Sequence, residues 1–188
     1  MMLKPTPKYI VIYLKKETVK ELYYLTEKYN SRIRFLAGLK TFVNRLDTEI
    51  KELEIEIDSD IDTFLSNTKI TQCVILTNDF ETIKKIKAEV LEYDDNIKIV
   101  NQSKKLVEPD FIKEEYPRYF IDVTNDTISK GNGIRKLCEY LNIDTENTIS
   151  IGDDINDLSM FEITSLSIAM GNSPEKVKEK AKIQNINK

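Results

Sequence analysis

Apolar and polar positions along the chain follow two periods, one typical of helices and one typical of strands. Residues 17–29 carry apolar side chains three and four positions apart, which predicts an amphipathic helix. Residues 72–76 form the continuous apolar run of a buried strand, whereas residues 50–57 alternate apolar and acidic side chains like an edge strand. Residues 33–47 fit neither period. The pattern also predicts strands at residues 9–14, 97–100, 119–124, 148–151 and 166–170, and helices at 80–93, from 129, at 156–164 and from 174.

The predicted elements change their order near residue 127. From residue 128 onward helices and strands alternate, which favours a parallel α/β layer. We therefore predict an α+β domain over residues 1–127 and half of an α/β core over residues 128–188.

Composition excludes several classes of function. Of all residues 40% are hydrophobic and 32% charged, which indicates a soluble globular protein. The net charge is -4, and the lysines are interleaved with glutamates, so we expect no nucleic-acid partner. No apolar run approaches the roughly 20 residues that a membrane span needs, and the N-terminus has no apolar core like that of a signal peptide. Cys73 and Cys138 fall inside predicted elements as buried thiols, and the expected location is cytoplasmic.

The sequence contains no histidine. Ser-His-Asp hydrolysis, Cys-His proteolysis and histidine zinc sites are therefore excluded within these residues. Any chemistry must use carboxylates, lysines, hydroxyls or a hard metal ion.

The clearest chemical signal is a cluster of carboxylates and a carboxamide where the strand at 148–151 ends and the next helix begins. Asp153, Asn156 and Asp157 follow Gly152, which permits a sharp turn. Ligands of open α/β sheets bind at the carboxyl ends of strands, and hard oxygen ligands suit Mg²⁺. A polar loop that caps a helix uses the same residue types, so that alternative stays open.

Ser129 is the predicted N-cap of the helix that leads to this strand, and Lys130 stands in the first turn of that helix. Together with the backbone N–H groups of that turn, its ammonium could hold a phosphate. A solvated surface lysine is the ordinary alternative. This helix leads directly into the strand before Asp153. We therefore expect Lys130 and the acidic turn, residues 153–157, to lie at the same edge of one sheet.

Four blocks in this region resemble the C-terminal signature of Cof-type phosphatases of the haloacid dehalogenase (HAD) superfamily. The blocks are residues 129–134 (Ser-Lys-Gly-Asn-Gly-Ile), 149–157 (Ile-Ser-Ile-Gly-Asp-Asp-Ile-Asn-Asp), 160–161 (Met-Phe) and 166–173 (Leu-Ser-Ile-Ala-Met-Gly-Asn-Ser). The resemblance implies the C-terminal half of a HAD-like Rossmannoid core with an α+β cap domain. It also implies Mg²⁺-dependent hydrolysis of a small phosphorylated metabolite, such as a sugar phosphate.

The resemblance assigns roles to individual residues. Lys130 is similar to the catalytic lysine that steadies phosphate and nucleophile, and Asn156 to an asparagine near the phosphate. Asp153 is similar to the Mg²⁺ carboxylate, and Asp157 to a second acid that supports the metal site. Asn172 matches a tail asparagine with a mainly structural role.

The family's nucleophile motif, Asp-x-Asp-Gly-Thr, does not occur in this sequence. Asp58 and Asp60 have the right spacing, but no glycine follows them and the strand before them alternates with glutamates. We therefore interpret this stretch as a linker and a helix cap. We expect an incomplete enzyme that is inactive alone, with a separate chain as a candidate source of the N-terminal core half. The alternative is a non-catalytic remnant that binds a metabolite or complements a partner.

Overall fold

A computed structural model describes residues 11–46, 54–102 and 119–184. Internal contacts divide the chain into two units, residues 11–126 and a second unit that contains residues 127–188. The interpretation of these parts as a cap over 1–127 and half of a core over 128–188 stays a prediction. None of the helices in the described ranges is both long and apolar enough to span a membrane.

The first unit is a mixed α/β structure built on a six-stranded sheet of order β3-β2-β1-β4-β6-β5. Neighbouring strands are antiparallel except for β2 and β3, which are parallel. Its elements are α1 (Lys16–Lys28), β1 (Arg32–Ala37), β2 (Lys40–Val43), β3 (Ile55–Glu56), α2 (Ile61–Asn67), β4 (Gln72–Thr77), α3 (Phe80–Tyr93), β5 (Ile97–Gln102) and β6 (Tyr119–Asn125).

Cross-strand register places the apolar residues of three strands on one face of this sheet. Ile33 of β1 lies opposite Ile75 of β4, which lies opposite Ile121 of β6. Phe35, Cys73 and Val123 form the next such row, and all six side chains are buried. The apolar faces of α1 and α3 pack on these rows through Val19, Leu22, Leu25, Ile83, Ile86 and Val90. The periodicity of the sequence predicts these buried helix faces, except at Phe80, which the same spacing places inward and which is exposed.

Two parts of the first unit differ from the prediction. Residues 33–47, which fitted no period, contain most of the β1–β2 hairpin, whose turn includes Gly38 with φ +63°. A turn of this kind needs positive φ, which glycine adopts without strain. The strand predicted at 9–14 is wrong for residues 11–14, which form no strand, and residues 9–10 lie outside the described ranges. Leu14 is buried instead, with its N–H donated to the carbonyl of Ile70 at 2.8 Å.

The second unit contains a parallel sheet of order β7-β8-β9. Its elements are α4 (Lys130–Leu141), β7 (Ile149–Gly152), α5 (Leu158–Phe161), β8 (Leu166–Ala169), α6 (Glu175–Lys178) and β9 (Ile183–Gln184). The predicted alternation of helices and strands is confirmed, although β9 was not predicted and the helix predicted at 156–164 is a 3-10 turn followed by the short α5. Cys138 is buried on α4 as expected. Leu137 and Leu141, which the i, i+3, i+4, i+7 spacing from Ile134 predicts on the same helix face, are exposed.

Asp94 ties the start of α1 to the end of α3. Its carboxylate accepts hydrogen bonds from the Asn96 N–H at 2.9 Å, the Asn96 amide at 2.6 Å, the Thr18 hydroxyl at 2.8 Å and Lys15 Nζ at 3.1 Å. The Asn96 backbone and side-chain donors, then Thr18, hold the pKa of Asp94 well below its usual range. The folded protein therefore favours the ionised form of this side chain.

Replacing Asp94 with Asn should lower the free energy of unfolding at neutral pH by about 1–3 kcal/mol, because several donors lose a charged acceptor. The folded pKa lies below the unfolded value of about 3.9, so the stabilisation is present above that pH and is lost as pH falls towards the folded pKa. Urea unfolding of the wild type and Asp94→Asn over this pH range should show the difference shrinking below about pH 4. The exposed neighbour Asp95, as Asp95→Asn, is the control and should change little at any pH. Equal stability of wild type and Asp94→Asn at neutral pH would contradict this account.

Candidate functional site

The acidic turn lies at the carboxyl end of β7, as the sequence predicted. β7 ends at Gly152, and a 3-10 turn over Ile155–Asp157 leads into α5. The loop after β8 reaches the same sheet edge, where the N–H of Met170 donates to the Gly152 carbonyl at 3.0 Å. Parallel strands bring their carboxyl ends to one edge, so the two loops become neighbours.

Asp157 is the buried centre of this turn, with 2% of its surface exposed. Its Oδ2 accepts the backbone N–H groups of Asp153 at 2.8 Å and of Asp154 at 3.1 Å. Its Oδ1 forms an ion pair with the ammonium of Lys130. Burial by itself raises the pKa of Asp157, but the hydrogen bond from Lys130 and the two backbone N–H groups outweigh it and lower that pKa. The carboxylate is therefore ionised, with donors on both oxygens.

Lys130 reaches Asp157 from the first turn of α4. Ser129 caps this helix, its hydroxyl accepting the Asn132 N–H at 3.0 Å, as the sequence predicted. Lys130 Nζ also donates to Asn156 Oδ1 at 3.3 Å, and half of the lysine side chain is exposed. The structure thus brings together Lys130, Asn156 and Asp157.

The Asp153 carboxylate has a different environment from that of Asp157. Its residue is exposed, and among the described residues the side chain within hydrogen-bond distance of its carboxylate is that of Asn172, at 3.5 Å. Asp153 and Asn172 come from the loops after β7 and β8, so the carboxylate stands at the sheet edge where the two loops meet.

The donor set fits Mg²⁺ in part. Within the described ranges no three acidic or thiol side chains gather into a metal cluster. Both oxygens of Asp157 already accept N–H groups, which suits a supporting role, whereas the Asp153 carboxylate can take a cation. Mg²⁺ commonly uses one or two protein carboxylates and fills its shell with water and phosphate oxygens. The assignments of Asp153 and Asp157 to a metal, and of Lys130 and Asn156 to a phosphate, stay predictions.

Asp58 and Asp60 belong to the other unit and match the interpretation as a linker and cap. Asp60 is the N-cap of α2, accepting the Thr63 N–H at 3.0 Å and the Thr63 hydroxyl at 2.6 Å. The short strand before them, β3, is at the edge of its sheet, as its alternating pattern predicted. Asp58 is exposed.

Sequence reasoning missed Ser159, which contacts the backbone next to Lys130. The Gly131 N–H donates to the Ser159 hydroxyl at 3.1 Å. No local signal identifies Ser159, because its partner lies 28 positions away.

Curated relatives of this chain include phosphatases. A phosphoglycolate phosphatase of Methanosarcina acetivorans is 39% identical over 64 residues, which is 34% of this chain and 28% of the relative. A phosphoglycolate phosphatase of Methanobrevibacter smithii is 26% identical over 160 residues, 81% of this chain and 59% of the relative. The chain therefore spans less than two thirds of the length of these relatives.

Solved structures share the fold. A haloacid dehalogenase-like hydrolase from Bacteroides thetaiotaomicron matches with a TM-score of 0.72 and 22% identity, covering 92% of this chain and 62% of that one. A haloacid dehalogenase-like hydrolase from B. subtilis gives 0.69 and 18%, covering 94% and 67%. A sugar phosphatase of HAD subclass IIB gives 0.67 and 22%, covering 92% and 62%.

Gly152→Ala should destabilise the chain by about 1–3 kcal/mol through overpacking. A Cβ at Gly152 would lie 2.5 Å from Asp157 Cβ and 2.6 Å from its Oδ2. Gly133→Ala is the matched control, since a Cβ there meets nothing within 4 Å. Gly133 lies inside α4, so this control should stabilise by about 0.5–1 kcal/mol. Urea unfolding measures both, and a Gly152→Ala variant as stable as wild type would show that Asp157 does not pack against β7.

Family membership rests on nearly the whole sequence. Residues 7–187 match the haloacid dehalogenase-like hydrolases, and the match includes both units described above. The blocks at 129–134 and 149–157 predicted this relationship through their resemblance to Cof-type phosphatases. The chain belongs to the haloacid dehalogenase-like hydrolase family.

Proposed function

We propose that this chain carries the magnesium- and phosphate-binding side of an active site that hydrolyses phosphate monoesters of small, sugar-phosphate-like metabolites. One observation carries the proposal: buried Asp157 pairs with the ammonium of Lys130, whose side chain is half exposed, beside Asn156. The phosphatase names of the relatives and of the subclass IIB structure support it.

Asp153 would hold Mg²⁺, with water and phosphate oxygens as the other ligands. The ion would neutralise charge on the phosphoryl oxygens. Asp157 would support the metal site without binding the ion. One of its oxygens accepts the backbone N–H groups of Asp153 and Asp154 and thereby fixes the turn that carries the Asp153 carboxylate.

Lys130 and Asn156 would bind the phosphate. The ammonium of Lys130 is paired with Asp157, and half of the lysine side chain is exposed. The carbonyl oxygen of the Asn156 side chain accepts from Lys130, which leaves the amide N–H groups of Asn156 as donors for a phosphate oxygen. The charged ammonium of Lys130 and the neutral amide of Asn156 would then donate to the same phosphate.

The nucleophile of the proposed reaction comes from residues outside this sequence, which has no Asp-x-Asp-Gly-Thr motif. The edge of β7 is the proposed docking place for the strand that carries it. Among the described residues β7 pairs with β8 alone, and Ile149 and Ile151 of β7 are each 62% exposed. Parallel sheets are normally covered on both faces, so an apolar parallel strand and its helix fit here.

The absence of the nucleophile motif also favours a second candidate function, binding of a phosphorylated metabolite without turnover. The same side chains would serve it. Binding experiments test the site that both candidates share, and activity experiments separate the two.

Addition of MgCl₂ should shift the backbone amide signals of Asp153 and Asp154 in ¹H–¹⁵N NMR spectra of the purified chain. Asp153→Ala should weaken Mg²⁺ binding at least about tenfold, the scale on which metal-site changes act. Asp58→Ala, which removes an exposed carboxylate in the other unit, should leave the titration unchanged. Shifts that persist in Asp153→Ala, or none in the wild type, would refute the metal assignment.

The purified chain alone should hydrolyse p-nitrophenyl phosphate at least about 10⁴-fold more slowly than a complete family enzyme, because loss of a nucleophile costs about that factor or more. A separately expressed N-terminal core half of a family enzyme, with its Asp-x-Asp-Gly-Thr motif, should raise the rate. The same half with its first Asp changed to Asn is the control. Ordinary phosphatase rates from the chain alone, abolished by Asp58→Asn or Asp60→Asn, would overturn the nucleophile assignment, and inactivity with every added half would favour binding without turnover.

A further inference from the structure

The start of α4 is fastened to the acidic turn through one serine hydroxyl. The first N–H groups of a helix have no acceptor within the helix. Ser129 satisfies the N–H of Asn132, and the N–H of Gly131 is donated to the Ser159 hydroxyl at 3.1 Å. Ser159 stands in α5, so this bond joins two helices that are far apart in sequence.

The same hydroxyl also reaches the turn that carries the proposed phosphate ligand. Ser159 Oγ donates to the carbonyl of Asn156 at 3.4 Å. A hydroxyl has one donor and two acceptor positions, so it can serve both bonds at once. The backbone beside Lys130 and the backbone of Asn156 are therefore linked through a single oxygen atom.

Gly131 permits this contact by lacking a side chain. A Cβ at this position would lie 2.1 Å from the Ser159 carbonyl oxygen and 2.7 Å from its carbonyl carbon. The helix backbone therefore lies directly against α5 at this point. Any larger residue at position 131 would push the start of α4, and Lys130 with it, away from the turn.

The position of the Lys130 side chain depends on this contact between α4 and α5 more than the position of a buried side chain would. Half of the Lys130 side chain is exposed, so packing confines only part of it, and a flexible lysine loses much conformational freedom when it is held in one place. Its ammonium meets Asp157 and Asn156 only while the backbone of α4 stays near the turn. The position of the helix start sets the position of the charge.

We propose that Ser159 is a positioning residue that holds Lys130 in register with Asn156 and Asp157 for phosphate binding, an inference that rests on the proposed function. Ser159 acts through the Gly131 backbone and the Asn156 carbonyl, and it has no assigned contact with substrate or metal.

The direct test observes the Lys130 ammonium in ¹H–¹⁵N spectra recorded for lysine side chains, with Lys130→Arg to assign the signal. Wild type should show a hydrogen-bonded Lys130 signal, Ser159→Ala should broaden or lose it, and Ser159→Thr, which keeps the hydroxyl, should restore it. Ser165→Ala is the matched control, because Ser165 is an exposed serine of the same unit that donates to the Thr148 carbonyl at 2.8 Å. This control should leave the Lys130 signal intact.

A second measurement links the signal to the proposed function. With MgCl₂ present, Ser159→Ala should weaken binding of inorganic phosphate about three- to tenfold, the effect of one hydrogen bond, and Ser159→Thr should recover it. A wild type that shows the Lys130 signal but binds no phosphate would refute the proposed function and leave the positioning contact standing. A Ser159→Ala variant that keeps both signal and affinity would refute the positioning role. If Ser159→Ala does not fold, Ser159→Cys, whose sulfur is a weak acceptor, answers the same question through the same signal.

Discussion

The buried carboxylate of Asp157 is the constraint around which the sheet edge of the second unit is arranged. A buried charge is costly unless it is paired and hydrogen-bonded, so the surrounding chain must supply donors. Two come from the backbone of the turn and one from Lys130. Gly152 must stay small because the carboxylate occupies the space that a side chain there would fill. The path of the turn and the direction of Lys130 follow from satisfying one side chain.

Two acids of one motif consequently have different chemistry. Asp157 is surrounded by donors, so its charge serves to orient its neighbours. Asp153 is exposed, with an amide as its near neighbour, so its charge is available to an incoming cation. In the proposed function this difference places Mg²⁺ at the outer acid and phosphate at the lysine that the inner acid holds. Residue type alone does not separate these roles, whereas burial does.

Sequence reasoning succeeded where the determining interactions are local or follow from topology. Interactions between residues a few positions apart determine three features that were predicted correctly: the helix α1, the buried strand β4 and the Ser129 cap. The meeting of Lys130 with the acidic turn followed from chain order, because the helix that Lys130 opens leads directly into the strand before Asp153. The failures depend on tertiary contacts. Residues 11–14 look like a strand but form none, and Leu14 is buried in the core and bonded to the Ile70 carbonyl instead. The bond from Gly131 to Ser159 produces no periodic pattern in the sequence.

The exposed isoleucines of β7 connect stability with the proposed chemistry. Burying an Ile side chain stabilises a fold by about 1.5–3 kcal/mol, and Ile149 and Ile151 lie uncovered on the strand that ends at the acidic turn. A strand docked in parallel on β7 would have its carboxyl end at the same sheet edge as Asp153. Its backbone would pair with β7, and the helix that follows it would cover Ile149 and Ile151 on the face of the sheet. A nucleophile at the end of that strand would then stand next to the proposed metal and phosphate ligands. On this reasoning the hydrophobic effect that completes the sheet also assembles the reaction centre.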